Sequence, residues 1–246
     1  MNNGWNRTRG MDPIENSRRA NFLRRTANEA RSYNVRMKIL AAALAALVVL
    51  TGLFYIISVL YNQSGSFTIK VNRVDMTKYG LSLSESPDMA FKTSRLNLNI
   101  DEAITNIDGT TIPENIDDHE GGVHNGMHYI AYTFYLENAG EIECSVEYTV
   151  DMSGITNGLD SAMRLKLYVD GVPTTYAKTA ADGNPEPGTT PFVSPNIMMR
   201  GRFDLMQPTE VHKFTVVLWI EGNDPECIDW LIDGQVKVDM NFSIIH

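Results

Sequence analysis

One stretch limits what this chain can become. Residues 39–61, ILAAALAALVVLTGLFYIISVLY, run for 23 positions without a charge or a proline. A helix rises about 1.5 Å per residue and a bilayer's hydrocarbon core is about 30 Å thick, so roughly 20 apolar residues cross it. A soluble amphipathic helix would carry a polar stripe of 3.6-residue period. Here Thr51 and Ser58 are the clearly polar side chains, and a helix absorbs their hydroxyls in its own carbonyls. The run is therefore expected to be a transmembrane helix, 39–61. It is longer than the usual 7–15-residue core of a signal peptide, and no small-x-small site follows it closely. Retention of the helix is expected; cleavage near Ser64–Ser66 would release the outer domain.

Charge changes sign across this run. Residues 1–38 hold nine basic side chains against Asp12, Glu15 and Glu29, a net +6, whereas residues 62–246 hold 12 basic and 27 acidic side chains, a net −15. Basic flanks stay on the cytoplasmic side. The expectation is a single-pass protein of the cell membrane, with a basic cytoplasmic tail (1–38), a short linker (62–66) and an extracellular domain (67–246). The tail's Arg7, Arg9, Arg18, Arg19, Arg24, Arg25, Arg31 and Arg36 either lie on anionic headgroups or only fix the topology. Residues 1–11 read as disordered, and Asp12-Pro13 as a helix start. Ile14, Phe22, Leu23, Ala27 and Ala30 would form its loose apolar stripe. The acidity of the outer part argues against nucleic acid as a partner.

Past residue 66 the apolar period becomes two. Phe67, Ile69 and Val71 alternate with polar residues, as do Leu81 and Leu83, then Leu96, Leu98 and Ile100. Further sets are Ile130 to Leu136, Ile142 to Val150, Met163 to Val169, Phe214 to Ile220 and Val236 to Ile244. Such alternation marks strands with one buried face. About eight of them, separated by Gly, Asn and Asp, predict an all-β fold: an antiparallel β-sandwich. Asp170-Gly171 signals a two-residue hairpin. The stretch 181–195, with four prolines, reads as a long exposed loop, and 101–126 as a second, acidic one. A short helix is expected over 226–232, started by Asp224-Pro225 and ended by Gly234.

The stretch FTVVLWIEGNDPECIDWLIDGQVKVDMNFSI, residues 214–244, carries a resemblance. A strand ending in Trp219-Ile220-Glu221-Gly222, then Asp224-Pro225-Glu226-Cys227, a short helix and a last strand with Phe242 near its end resemble the close of the TasA/camelysin-like surface and biofilm-matrix proteins of Gram-positive bacteria. The piece from Tyr132 to Val150, and the membrane run followed at once by a strand, are also similar. The resemblance implies a jelly-roll-like sandwich at the cell surface. Some members assemble into matrix fibres by strand donation, and others carry a metallopeptidase label. The long Arg-rich tail and the lack of an obvious processing site depart from the fibre-forming members.

Several residues have two readings. Cys144 and Cys227 form a disulfide, or are two separate thiols, Cys144 falling on the apolar face of its strand. His119, His124 and His128 with Asp117 and Asp118 are the one metal-like group, but the two histidines of His119-Glu120-Gly121-Gly122-Val123-His124 stand five apart across two glycines. As a zinc-protease helix the pattern fails; a cation-binding loop or a solvated acidic loop remains. Asp182-Gly183-Asn184 and Glu221-Gly222-Asn223-Asp224 offer oxygens to Ca²⁺, or are turn chemistry. Trp219 and Val217 fall on the wet face of their strand: an exposed partner surface, or a face covered by a loop or by the first strand. Phe67, Ile69 and Val71 join Trp219 as candidate interaction residues. The Gly-x-Ser-x-Gly, P-loop and Rossmann patterns are absent. The expected role is structural or interactive, through sheet edges offered to protein partners or to other copies, without catalysis or cofactor. A surface metallopeptidase and a single-pass sensor or secretion accessory are the alternatives.

Overall fold

The computed structural model describes residues 13–62, 67–98 and 104–245. The expectations for residues 1–11, for most of the linker and for Ile100 lie outside them. The chain divides after Leu60 into a helical unit and a β unit.

Helix α1 runs unbroken over Pro13–Asn62. Proline at its first position loses no hydrogen bond, because the first N–H groups of a helix have no partner within it. Within it, Val35–Ile56 is long and apolar enough to cross a membrane, and none of it is buried against the protein. Thr51 Oγ1 donates to the Leu47 and Val48 carbonyls at 3.0 and 2.9 Å, so its hydroxyl is satisfied inside the helix.

The β unit contains β1 (Phe67–Val71), α2 (Arg73–Tyr79), β2 (Leu81–Ser84), β3 (Arg95–Leu98), β4 (Asn106–Ile107), β5 (Gly122–Val123), β6 (Tyr129–Asn138), β7 (Cys144–Ser153), β8 (Met163–Val169), β9 (Val172–Ala177), β10 (Thr190–Pro191), β11 (Ile197–Met206), β12 (Val211–Glu221) and β13 (Lys237–Ile245). They form two sheets. The first has the order β11-β7-β13-β1-β3, and the second β10-β9-β8-β12-β6-β2, with β4 beside β12 and β5 beside β6. Both sheets are mixed, not purely antiparallel: β1 runs parallel to β13, β9 to β10 and β4 to β12.

The inward residues of both sheets share one core. Phe134 and Phe214 of the second sheet meet Tyr148 and Phe242 of the first, with ring centroids 5.2–6.0 Å apart. The predicted hairpin is present. Val169 pairs with Val172, and Asp170 and Gly171 both have positive φ, 51° and 80°, as a two-residue turn matching the strand twist requires. β6 and β7 do not form a hairpin, because the chain changes sheet between them. Asn138 holds that crossing: it is buried, donates from Nδ2 to the carbonyls of Ile142 and Met206 at 2.9 Å each, and accepts from Gly140 N at 3.1 Å.

Two helices differ from expectation. The one predicted over 226–232 is a single 3₁₀ turn, Asp229–Leu231. Asp224 does not cap it, since one carboxylate oxygen meets Arg164 and the other takes the Glu226 N–H. The unpredicted α2 is capped by Asn72, which accepts from Val74 N, and stopped by Gly80. It buries Asp75, whose carboxylate receives the Ile244 N–H at 3.0 Å.

Candidate functional site

The second sheet is covered on its outer face. A strap over residues 104–123 crosses it and places Ile112 and Ile116 on Ala131, Tyr168, Val217 and Trp219, a second small core. Trp219 is therefore 6 % exposed, not a free docking surface: a loop covers it. Its indole N–H donates to Glu221 Oε2 at 3.0 Å, and the same oxygen accepts from Gly109 N at 3.1 Å. Lys213 Nζ donates to the Asp117 carbonyl and lies 3.5 Å from its Oδ1. The Tyr135 hydroxyl donates to the Glu120 carbonyl, and Gly122 and Val123 pair with Thr133 and Tyr132.

These contacts also decide the histidines. His119 and His124 stack at 4.1 Å, with His124 Nδ1 3.1 Å from the Gly122 carbonyl. Among the described residues no three His, Cys, Asp or Glu side chains gather to hold a metal. His119, His124, His128, Asp117 and Asp118 thus do not form the cation loop. Asp117 serves Lys213, and Asp118 is exposed at the end of the 3₁₀ turn Ile116–Asp118.

Burial, and then the neighbouring His119 and Lys213, push the His124 pKa below its ordinary 6.5, against the opposing pull of the Gly122 carbonyl. A depressed histidine stabilises the fold above its unfolded pKa, and this is lost as pH falls through the folded value. Amide protection over the strap should accordingly decline as pH falls below about 6.5, and His124→Gln should flatten that decline. Equal profiles for both proteins in hydrogen exchange would refute this.

Beside the strap lies a cleft of about 740 Å³ lined by Asp108, Arg164, Lys166, Glu186, Trp219, Glu221 and Asp224, among others. Arg164 is at the start of β8 and faces outward between the inward Met163 and Leu165. Its side chain is 5 % exposed; Nη2 stands 2.5 Å from Asp224 Oδ2 and 3.4 Å from Glu186 Oε2. Burial, and then Asp224, raise the pKa of Glu186, while Arg164 opposes them. One cation thus clasps two carboxylates, one following β12 and the other in the proline-rich loop 181–195. Chemically the arrangement holds that loop against the sheet.

The calcium candidates are occupied by protein donors. Asp182 accepts from Asn184 N and Nδ2 at 2.9 and 3.0 Å. Glu221 accepts from Gly109, Trp219 and Asn223, and Asp224 from Arg164 and Glu226. The Asp-Gly-Asn and Glu-Gly-Asn-Asp patterns are turn chemistry here.

Cys144 and Cys227 are both free thiols, and the disulfide reading fails. Cys144 lies past the Asn138 end of β6, whereas Cys227 follows Glu221, at the Tyr129 end. Burial raises the Cys144 pKa, which keeps it an unreactive packing thiol. Cys227 Sγ receives the Asn106 Nδ2 hydrogen at 3.3 Å. Phe67, Ile69 and Val71 are also core residues: β1 is interior, flanked by β13 and β3.

Fold and surface define a two-sheet β domain that follows one apolar helix in the sequence. No protein-family model matches the chain, and no curated protein matches it. Among solved structures, a β-glucosidase from Kluyveromyces marxianus in complex with glucose is similar over 65 % of this chain and 15 % of its own length, at 10 % identity and a TM-score of 0.21. At that score the likeness carries no argument about fold or activity.

Proposed function

We propose that this chain is a membrane-anchored surface protein with a structural or interaction role, a divergent relative of the TasA/camelysin-like matrix and surface proteins. Its β unit is a jelly-roll-like extracellular domain, and residues 1–38 form a cytoplasmic tail that meets lipid. The observation that carries this reading is the seat of β1. The first strand after the membrane-grade helix pairs on both sides, with five residues of β13 and four of β3. An anchor joined to an interior strand ties the membrane to the core of the domain and leaves its loops and the edges β3 and β11 for partners. Strand addition along such an edge, or loop contact, supplies the affinity.

Labelling of intact cells tests the topology. A membrane-impermeant lysine reagent should modify Lys92 and Lys178, which are partly exposed, and spare Lys38. The reverse pattern would overturn the orientation. Metal-dependent peptide hydrolysis that disappears in a His119→Ala/His124→Ala variant would favour the peptidase alternative. A mature amino terminus near Ser66 would point to release, with β1 then able to pair in another copy.

A further inference from the structure

The loop that joins β12 to β13 carries three large apolar side chains in water. Ile228 is 60 %, Trp230 75 % and Ile232 65 % exposed, while Leu231 between them is buried. The turn that presents them is well tied. Cys227 N donates to the Asp224 carbonyl and Gly234 N to the Leu231 carbonyl, at 2.9 Å each. Asn157 Nδ2 donates to the Ile232 carbonyl at 2.8 Å. Gln235 exchanges hydrogen bonds with Thr156, through its N–H to Oγ1 at 2.8 Å and through its carbonyl at 2.9 Å. A loop fixed this firmly, with Ile228, Trp230 and Ile232 exposed beside the buried Leu231, presents them to solvent.

Its position follows from register. β1 is parallel to β13, with Phe67 opposite Val238. The end of the sandwich at which β1 begins is therefore the end at which β13 begins, and the loop lies there. Six Cα steps separate Phe67 from Tyr61, the last residue of the apolar run, a reach of at most about 22 Å. Ten-residue strands such as β6 are about 33 Å long. The linker thus limits how far the start of β1, and with it the Ile228–Ile232 end, can stand from residue 61. Tryptophan prefers the headgroup level of a bilayer, where its ring is half apolar and its N–H stays wet.

We propose that Ile228, Trp230 and Ile232 dock the β unit onto the lipid interface. The proposal rests on the membrane-anchored reading of the chain. The occupant is lipid, not protein, because the covalent tether supplies a lipid surface at this end. Asp229 lies between Ile228 and Trp230, and Asp233 follows Ile232, so neutral headgroups suit the site better than anionic ones.

The test uses the full chain reconstituted in phosphatidylcholine vesicles. Flotation reports insertion of the helix by itself. Tryptophan fluorescence is then compared between the native chain and Trp230→Phe, with lipids brominated near the headgroup or deep in the acyl chain. The expected result is that the component lost in Trp230→Phe is mostly quenched by shallow bromines, weakly by deep ones, and is shielded from acrylamide. A floating chain whose Trp230 component ignores both lipids and stays open to acrylamide overturns docking and leaves the anchor standing. A component shielded from acrylamide yet untouched by bromines assigns the patch to a second copy and also overturns it. A chain that does not float overturns the anchor, and the docking with it.

Discussion

Replacing Arg164 with alanine will lower the unfolding free energy of the β unit by about 3–5 kcal/mol, the range for a buried ion pair broken on one side. The guanidinium sits almost wholly out of water between Asp224 and Glu186. Alanine leaves two buried carboxylates without a counter-charge, one of them also fixed by the Glu226 N–H. Each must then take up a proton or pull its loop into solvent. Arg164→Lys keeps the charge but not the planar fork, and should lose less. Guanidinium denaturation followed through Trp219, whose ring lines the same cleft, measures both. A loss under about 1 kcal/mol for the alanine variant would place the pair with exposed surface bridges and refute the clasp.

The second large effect belongs to Phe214. Its ring is fully buried and meets Phe134 beside it in the second sheet, and Tyr148 and Phe242 in the first. Phe214→Ala removes the ring at which the two sheets join, and aromatic truncations of this kind cost about 3–5 kcal/mol. Phe203→Ala serves as the comparison. That ring is only half-buried, stacking on His212 at 3.8 Å from the rim of the same cluster, and its loss should be clearly smaller. Equal midpoint shifts in denaturant would show that the sheets are not held through Phe214.

Much of the first sheet and of the core could be read from alternation alone. In β7 and over residues 238–242 of β13 every second residue is buried, and the sequence shows the same beat. β11 shows little alternation for a local reason. Its Gly201 interrupts the pattern because the Tyr148 ring lies across it; a Cβ there would stand 2.2 Å from that ring. The strand is also an edge with exposed Arg200 and Arg202, so burial leaves little trace in its composition. Trp219 departs from the pattern for a different reason. Alternation placed Phe214, Val216 and Leu218 inward correctly, and so put Trp219 outside. Only the strap, held by Ile112 and Ile116 some 100 residues earlier, makes that outside an interior. The apolar Val217 and Trp219 on a nominally wet face were the available signal. Parallel pairing of β1 with β13 left no sequence mark, since a strand buried on one face looks the same whichever way its neighbour runs. Arg164 was legible only as an outward residue of its strand, and nothing in the sequence named its carboxylate partners.

The pairing of β1 with β13 has a consequence for how the protein is made. The strands that meet, 67–71 and 238–242, are the first and last of the β unit to leave the ribosome. At roughly 5–20 residues per second, the first waits on the order of 10–30 s for its partner. During that time β3 can cover one side of it, while the other stays open with Phe67, Ile69 and Val71 uncommitted. Folding of the first sheet is therefore a late event that long-range contacts make slow. Any interruption of synthesis before Phe242 leaves the apolar β1 without its β13 partner.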